Sequence, residues 1–147
     1  MITVGDMLDI ALRIESVGYS YYQKLSEKTS GEVKSLFVKL ATQEREHAAV
    51  FRKMLKDADN SLIAKDWEDN VGYLKSYAEI SIFPRTESID VPDNINKAIS
   101  SAVEVEKDSI IFYSDLSSFI PDCKELKDII EEERRHLHDL VKLYGSI

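Results

Sequence analysis

The sequence predicts an all-α protein: a four-helix bundle made of two antiparallel hairpins, joined by a long crossover that contains a short extra helix. Three observations predict it. Helix breakers are scarce, with 5 Gly and 3 Pro in 147 residues, while 31% of positions are charged. Four segments carry apolar residues at alternating spacings of three and four, the pattern of a buried helix face. Two Glu-x-x-His units, Glu44 to His47 and Glu133 to His136, fall at matching places in the second and fourth segments. The length suits one domain over residues 1–147 with a full core.

The first helix runs from about Thr3 to Glu27. Thr29 followed by Glu32 has capping-box spacing and predicts the start of the second, which runs to about Lys56. Pro92 and Asp93 open the third, which extends to about Ser118. Pro121 suits the first turn of the fourth and Gly145 its C-terminal cap. The links within each pair are short, so each pair forms a hairpin. The stretch from Asp57 to Val91 is the crossover. It holds a predicted helix from about Lys65 to Glu79, ended by Phe83-Pro84, with Trp67, Tyr73 and Tyr77 expected to pack it onto the bundle.

Composition excludes several classes. A net charge of -8 leaves no basic face for a nucleic-acid partner. No apolar run approaches the roughly 18 residues of a membrane span, and no signal-like start is present, so a cytoplasmic protein without membrane attachment is expected. Cys123 is the single cysteine, which rules out an internal disulfide and a cysteine-based metal site. There is no Gly-rich phosphate loop and no Gly-x-Ser-x-Gly.

The two hairpins resemble each other. An offset of 91 pairs Ala11 with Ala102, Glu15 with Glu106, Tyr22 with Tyr113 and Leu25 with Leu116. An offset of 89 pairs Leu40 with Ile129, Glu44 with Glu133, His47 with His136 and Phe51 with Leu140. The predicted seams are Leu8, Ala11, Glu15, Gly18, Tyr22, Leu25 in the first helix and Val33, Phe37, Leu40, Glu44, His47, Phe51, Met54 in the second. In the third they are Ile95, Ile99, Ala102, Glu106, Ser109, Tyr113, Leu116, and in the fourth Leu126, Ile129, Glu133, His136, Leu140, Leu143. In every helix the apolar row is broken at one level, by Glu or by Glu and His.

An ionised Glu in such a row costs several kcal/mol, and four at one level repel one another. Two divalent cations would cancel the four charges, and two neutral imidazoles would add ligands without adding charge. A Glu and a His three apart share a helix face and can grip one ion. Two such pairs with two single Glu form the ligand set of a dinuclear site in a bundle. Partial protonation of the cluster is the other way to relieve the charge. A single Glu-x-x-His is ordinarily a solvated pair, whereas two on matching seams are not ordinary. Glu131 and Glu132 blur the register, because Glu132 is also one turn from His136; Glu133 is preferred because it matches both the repeat and the seam. His138 and Glu104 lie off the seam and read as surface residues, and Cys123 as inert. Tyr22 and Tyr113 are core aromatics whose hydroxyls need partners when buried, a ligand carboxylate being one choice.

The pattern Glu15-x-x-Gly18-x-x-x-Tyr22, Glu44-x-x-His47, Glu106-x-x-Ser109-x-x-x-Tyr113 and Glu133-x-x-His136 resembles the rubrerythrin-like branch of the ferritin-like di-iron carboxylate proteins. The resemblance covers all four helices. It implies a ferritin-like bundle with terminal ligation by Glu15 and Glu106, bridging by Glu44 and Glu133, and one His per metal from His47 and His136. It also implies two Fe ions, with Mn or Zn as substitutes, redox chemistry with O2 or H2O2, an external electron-donor protein and a homodimer. Tyr22 and Tyr113 stand behind the ligands, and no catalytic residue is expected beyond the ligands themselves. Gly18 and Ser109 are small and are expected to leave room for the oxidant. Two departures point to the stand-alone members. One cysteine cannot build the paired Cys-x-x-Cys of a rubredoxin module, and Ser109 stands where rubrerythrins tend to carry a further Glu. The expected function is therefore a di-iron oxidoreductase. The alternatives are iron handling without turnover and a bundle whose metals are purely structural.

Overall fold

The computed structural model describes residues 3–58, 68–87, 94–120 and 122–146. The first hairpin is α1 (Val4–Glu27) and α2 (Gly31–Asp57). The crossover contributes α3 (Glu68–Tyr77), a π-helical turn (Ala78–Ile82) and α4 (Phe83–Thr86). The second hairpin is α5 (Ile95–Leu116) and α6 (Lys124–Ser146). Among the described residues there is no strand, and no helix is long and apolar enough to cross a membrane. The helical bundle with one long crossover is the architecture expected.

Several ends differ from expectation for local reasons. The capping box is at Thr3, not at Thr29. The Asp6 amide donates to Thr3 Oγ1 at 3.1 Å and the Thr3 amide to Asp6 Oδ2 at 2.9 Å. Thr29 instead turns back, its hydroxyl donating to the Leu25 carbonyl at 2.9 Å, so it closes α1. The chain then reverses through Gly31 at φ +64°, a conformation glycine adopts at little cost. At the start of α5, Asn94 accepts from the Lys97 amide at 3.2 Å and is the N-cap. Pro92, Asp93 and Pro121, read as openers of the third and fourth helices, lie outside the described residues. Gly145 is no left-handed cap, since α6 continues through it to Ser146.

The crossover helix does not stop at Phe83-Pro84. The turn widens instead, and the Phe83 amide donates to the Ala78 carbonyl five residues back. Helix then resumes with Pro84 in the first turn of α4, where its missing N–H matters least. Thr86 turns its hydroxyl back onto the Ile82 carbonyl at 3.0 Å. Leu74, Ala78, Ile82 and Phe83 fasten the crossover to its own bundle. Of the aromatics expected there, Tyr77 packs and donates to Asp108 at 3.0 Å, Tyr73 is exposed, and Trp67 lies outside the described residues.

The seams are buried as predicted except near the bundle ends, where Met54 and Leu143 are half-buried and Ile95 is exposed. The core forms two apolar layers. One gathers Met7, Leu8, Phe51, Phe112 and Leu126 with the crossover, and the other gathers Leu25, Phe37, Leu40, Ile99 and Leu140. The broken level of the seam lies between them.

Candidate metal centre

The six acidic and imidazole side chains of the broken level come together. Glu15 and Glu106 arrive from α1 and α5, Glu44 and His47 from α2, and Glu133 and His136 from α6. All six are at most 4% exposed. They form two groups, Glu15–Glu44–His47–Glu133 and Glu44–Glu106–Glu133–His136, whose ligand atoms lie within 4.8 Å of one another. Glu44 and Glu133 belong to both groups. The two rings face each other with centroids 5.9 Å apart.

The register on α6 is resolved by burial. Glu133 points into the cluster at 1% exposure, while Glu131 is on the surface. Glu132 does something that one-helix reasoning missed. It reaches across to α2, and its Oε2 lies 2.5 Å from the outer nitrogen, Nε2, of His47. A repeat read along the chain gives only offsets, whereas this contact is made between two helices.

Two phenols hold the outer carboxylates. Tyr22 donates to Glu106 Oε1 at 2.5 Å and Tyr113 to Glu15 Oε1 at 2.9 Å, each from the opposite hairpin. Burial and the adjoining carboxylates push both phenols well above their ordinary range, so they stay protonated as donors. Gly18 makes a different contribution from the open space expected. A Cβ built there would stand 2.9 Å from Glu44 Oε2, so the missing side chain is a cradle filled by that carboxylate. Ser109 is buried at 4% exposure. Off the seam, His138 is exposed and Glu104 pairs with Lys107 at 3.1 Å, as expected. Burial raises the Cys123 thiol, in keeping with an inert residue.

Electrostatics show what the cluster lacks. Burial and mutual repulsion push Glu15 and Glu44 well above the usual carboxylate range and Glu106 up to about 8. Burial also disfavours charge on Glu133, but the neighbouring Glu106 carboxyl and the His136 and His47 imidazoles outweigh it and hold this carboxyl well below the usual range. The imidazoles behave as cations beside it. Burial opposes their charge, yet the surrounding carboxylates raise His47 to about 9 and His136 to about 10. Without metal, protons balance the charge.

Protons do not satisfy every atom. Oε2 of Glu15, Glu106 and Glu133 and both ring nitrogens of His136 are buried without a hydrogen-bond partner. Such orphans are rare in folded proteins. Here they converge, and they are of the oxygen and imidazole types that bind divalent iron, manganese or zinc. The donor set fits a pair of cations.

A bundle with one long crossover and a buried level of four Glu and two His defines the ferritin-like dimetal carboxylate class. A crystal structure at 2.30 Å resolution, described as that of a candidate ferritin-like diiron-carboxylate protein from Thermotoga maritima, matches with a TM-score of 0.72 and 30% sequence identity. The match covers 98% of this chain and 95% of that one. The Rubrerythrin family model matches residues 6–144, and the chain belongs to that family. Comparison with curated proteins returns no match. Family and cluster together indicate a di-metal site.

Proposed function

We propose that this protein is a di-iron carboxylate oxidoreductase that reacts with O2 or H2O2 and is re-reduced by an external electron-donor protein. The observation that carries the reading is the pair of buried four-ligand groups sharing Glu44 and Glu133. Glu15 and His47 would complete one iron position, and Glu106 and His136 the other. When bound, two Fe(II) ions supply one electron each, which with two protons reduce one H2O2 to two waters. The chain's own residues prepare the ground for this. The apolar layers on either side keep bulk water from the cluster. Tyr22 and Tyr113 hold Glu106 and Glu15 through one oxygen and leave the other free. The raised carboxyls and imidazoles hold protons that cation binding displaces. Mn and Zn suit the same donors. The single cysteine, with no disulfide to maintain, fits a reducing cytoplasm. The family resemblance favours a homodimer, which the mass in solution tests.

The deciding experiment loads chelator-treated protein with Fe(II) without air, counts the metal, then adds H2O2 and follows near-ultraviolet absorbance. Two Fe per chain and a rapid rise support the reading. Two Fe with no response would leave iron handling or structural metal, and no uptake would reject the site.

A further inference from the structure

We infer that Glu132 is a positioning residue for His47, and that its replacement by Gln43 at the equivalent place makes the two metal positions unequal, the His47 position binding a divalent cation more tightly. The inference rests on the di-metal reading above and extends it.

His47 turns Nδ1 inward, 3.2 Å from Glu133 Oε1 and 3.4 Å from Glu15 Oε1. Its outer Nε2 meets Glu132 Oε2 at 2.5 Å. A neutral imidazole that ligates through Nδ1 carries its proton on Nε2, and that N–H donates to Glu132. A carboxylate there fixes the tautomer, locks the ring and makes the inner nitrogen a stronger donor.

His136 also turns Nδ1 inward, 3.5 Å from Glu133 and 3.6 Å from Glu106. Its Nε2, however, is buried with no hydrogen-bond partner. The offset of 89 that pairs Glu44 with Glu133 also pairs Gln43 with Glu132. Gln43 lines the same cavity of about 160 Å³ as His136, and its Oε1 is buried and unpartnered. The second imidazole therefore has no acceptor on its outer nitrogen and only a neutral carboxamide at the repeat-equivalent place, where the first has a carboxylate in contact. A charged acceptor makes the stronger bond. The flanking charges favour the same order. The cavity beside His47 carries only acidic charges, Glu46, Glu125, Asp128 and Glu132, while in the cavity beside His136 Lys39 and Arg135 offset Glu132 and Asp139.

The test titrates the chelator-treated full chain with Co(II), reads binding from the visible spectrum and calorimetry, and uses ¹⁵N-histidine NMR to show which ring ligates first. The wild type should show two resolved events, with His47 first. Glu132→Gln should weaken the tighter event roughly 10–100-fold and leave the weaker one unchanged. Gln43→Glu should tighten the weaker event about tenfold, and it provides an independent arm should Glu132→Gln fail to fold. Combining the two substitutions should make His136 ligate first. Equal wild-type events, or variants that shift both events together or neither, would overturn the inference while leaving the di-metal site standing. A wild type that takes up no Co(II) would overturn both.

Discussion

The apolar layers and the polar level between them are built from the same four helices at the same seam positions, yet they answer to opposite demands. Leu25, Phe37, Phe112 and Leu126 are fully buried and satisfied by packing. Glu15, Glu44, Glu106 and Glu133 are buried just as deeply, but their charges repel one another and need protons or cations to balance them. The layers above and below supply the stability that lets the middle be costly. The difference shows where the fold is maintained and where the chemistry is held ready.

Two substitutions separate the roles most sharply. Glu44 belongs to both ligand groups, and burial and the neighbouring carboxylates raise its carboxyl well above the usual range, against the charged form. Glu44→Gln should therefore leave metal-free stability at about pH 7 nearly unchanged, yet lower affinity for Zn(II) about a thousandfold, as loss of a buried charge partner worth ~3–5 kcal/mol implies. Leu126→Ala should do the reverse, costing ~2–5 kcal/mol by leaving a cavity while uptake of two ions persists. Thermal or urea unfolding, with and without metal, checks both. Should Glu44→Gln destabilise the metal-free protein as much as Leu126→Ala, the division between the layers would fail.

pH should divide the metal-free and loaded forms. Glu106 at about 8 stands above its ordinary 4.5, so its contribution is full below that ordinary value and is lost as pH rises through about 8. His47 and His136 contribute fully below 6.5 and lose it as pH rises through about 9 and about 10. Glu133 alone runs the other way, its contribution lost as pH falls below the carboxylate range. The metal-free protein should thus lose stability from about pH 5 to pH 10, by about 1.4 kcal/mol per pH unit for each proton held. The loaded protein should gain relative to it, because ligands bind deprotonated. Melting curves at about pH 6 and pH 9, with chelator and with Zn(II), test the sign. Parallel slopes would mean that the cluster does not exchange protons for metal.

The seam was legible because helical spacing and the internal repeat both report on the inward face. Glu15, Glu44, His47, Glu106, Glu133 and His136 were found that way, and the structure brings them together. The helix ends were less legible, because competing partners decide them. Thr29 had the right spacing for a cap but found the Leu25 carbonyl closer to hand. Pro84 read as a stop because nothing in a linear pattern announces a widened turn at Ala78–Ile82. Contacts between helices, such as Glu132 with His47, were invisible for the same reason.

Gly18 gives the smallest and most specific test. It lies within α1, where alanine is preferred by about 1 kcal/mol, and no left-handed backbone requires glycine there. Its cost in helix propensity is offset only by the room it leaves for Glu44. A Cβ at 2.9 Å from Glu44 Oε2 meets the movable end of a side chain, so Gly18→Ala should fold. Metal-free stability should stay level or rise by up to about 1 kcal/mol. The displaced carboxylate should bind metal about tenfold more weakly, a loss of about 1.4 kcal/mol. Gly18→Ala that gains stability and keeps full affinity would show that Glu44 can ligate from another rotamer, and the polar level would then be less tightly built than the apolar layers around it.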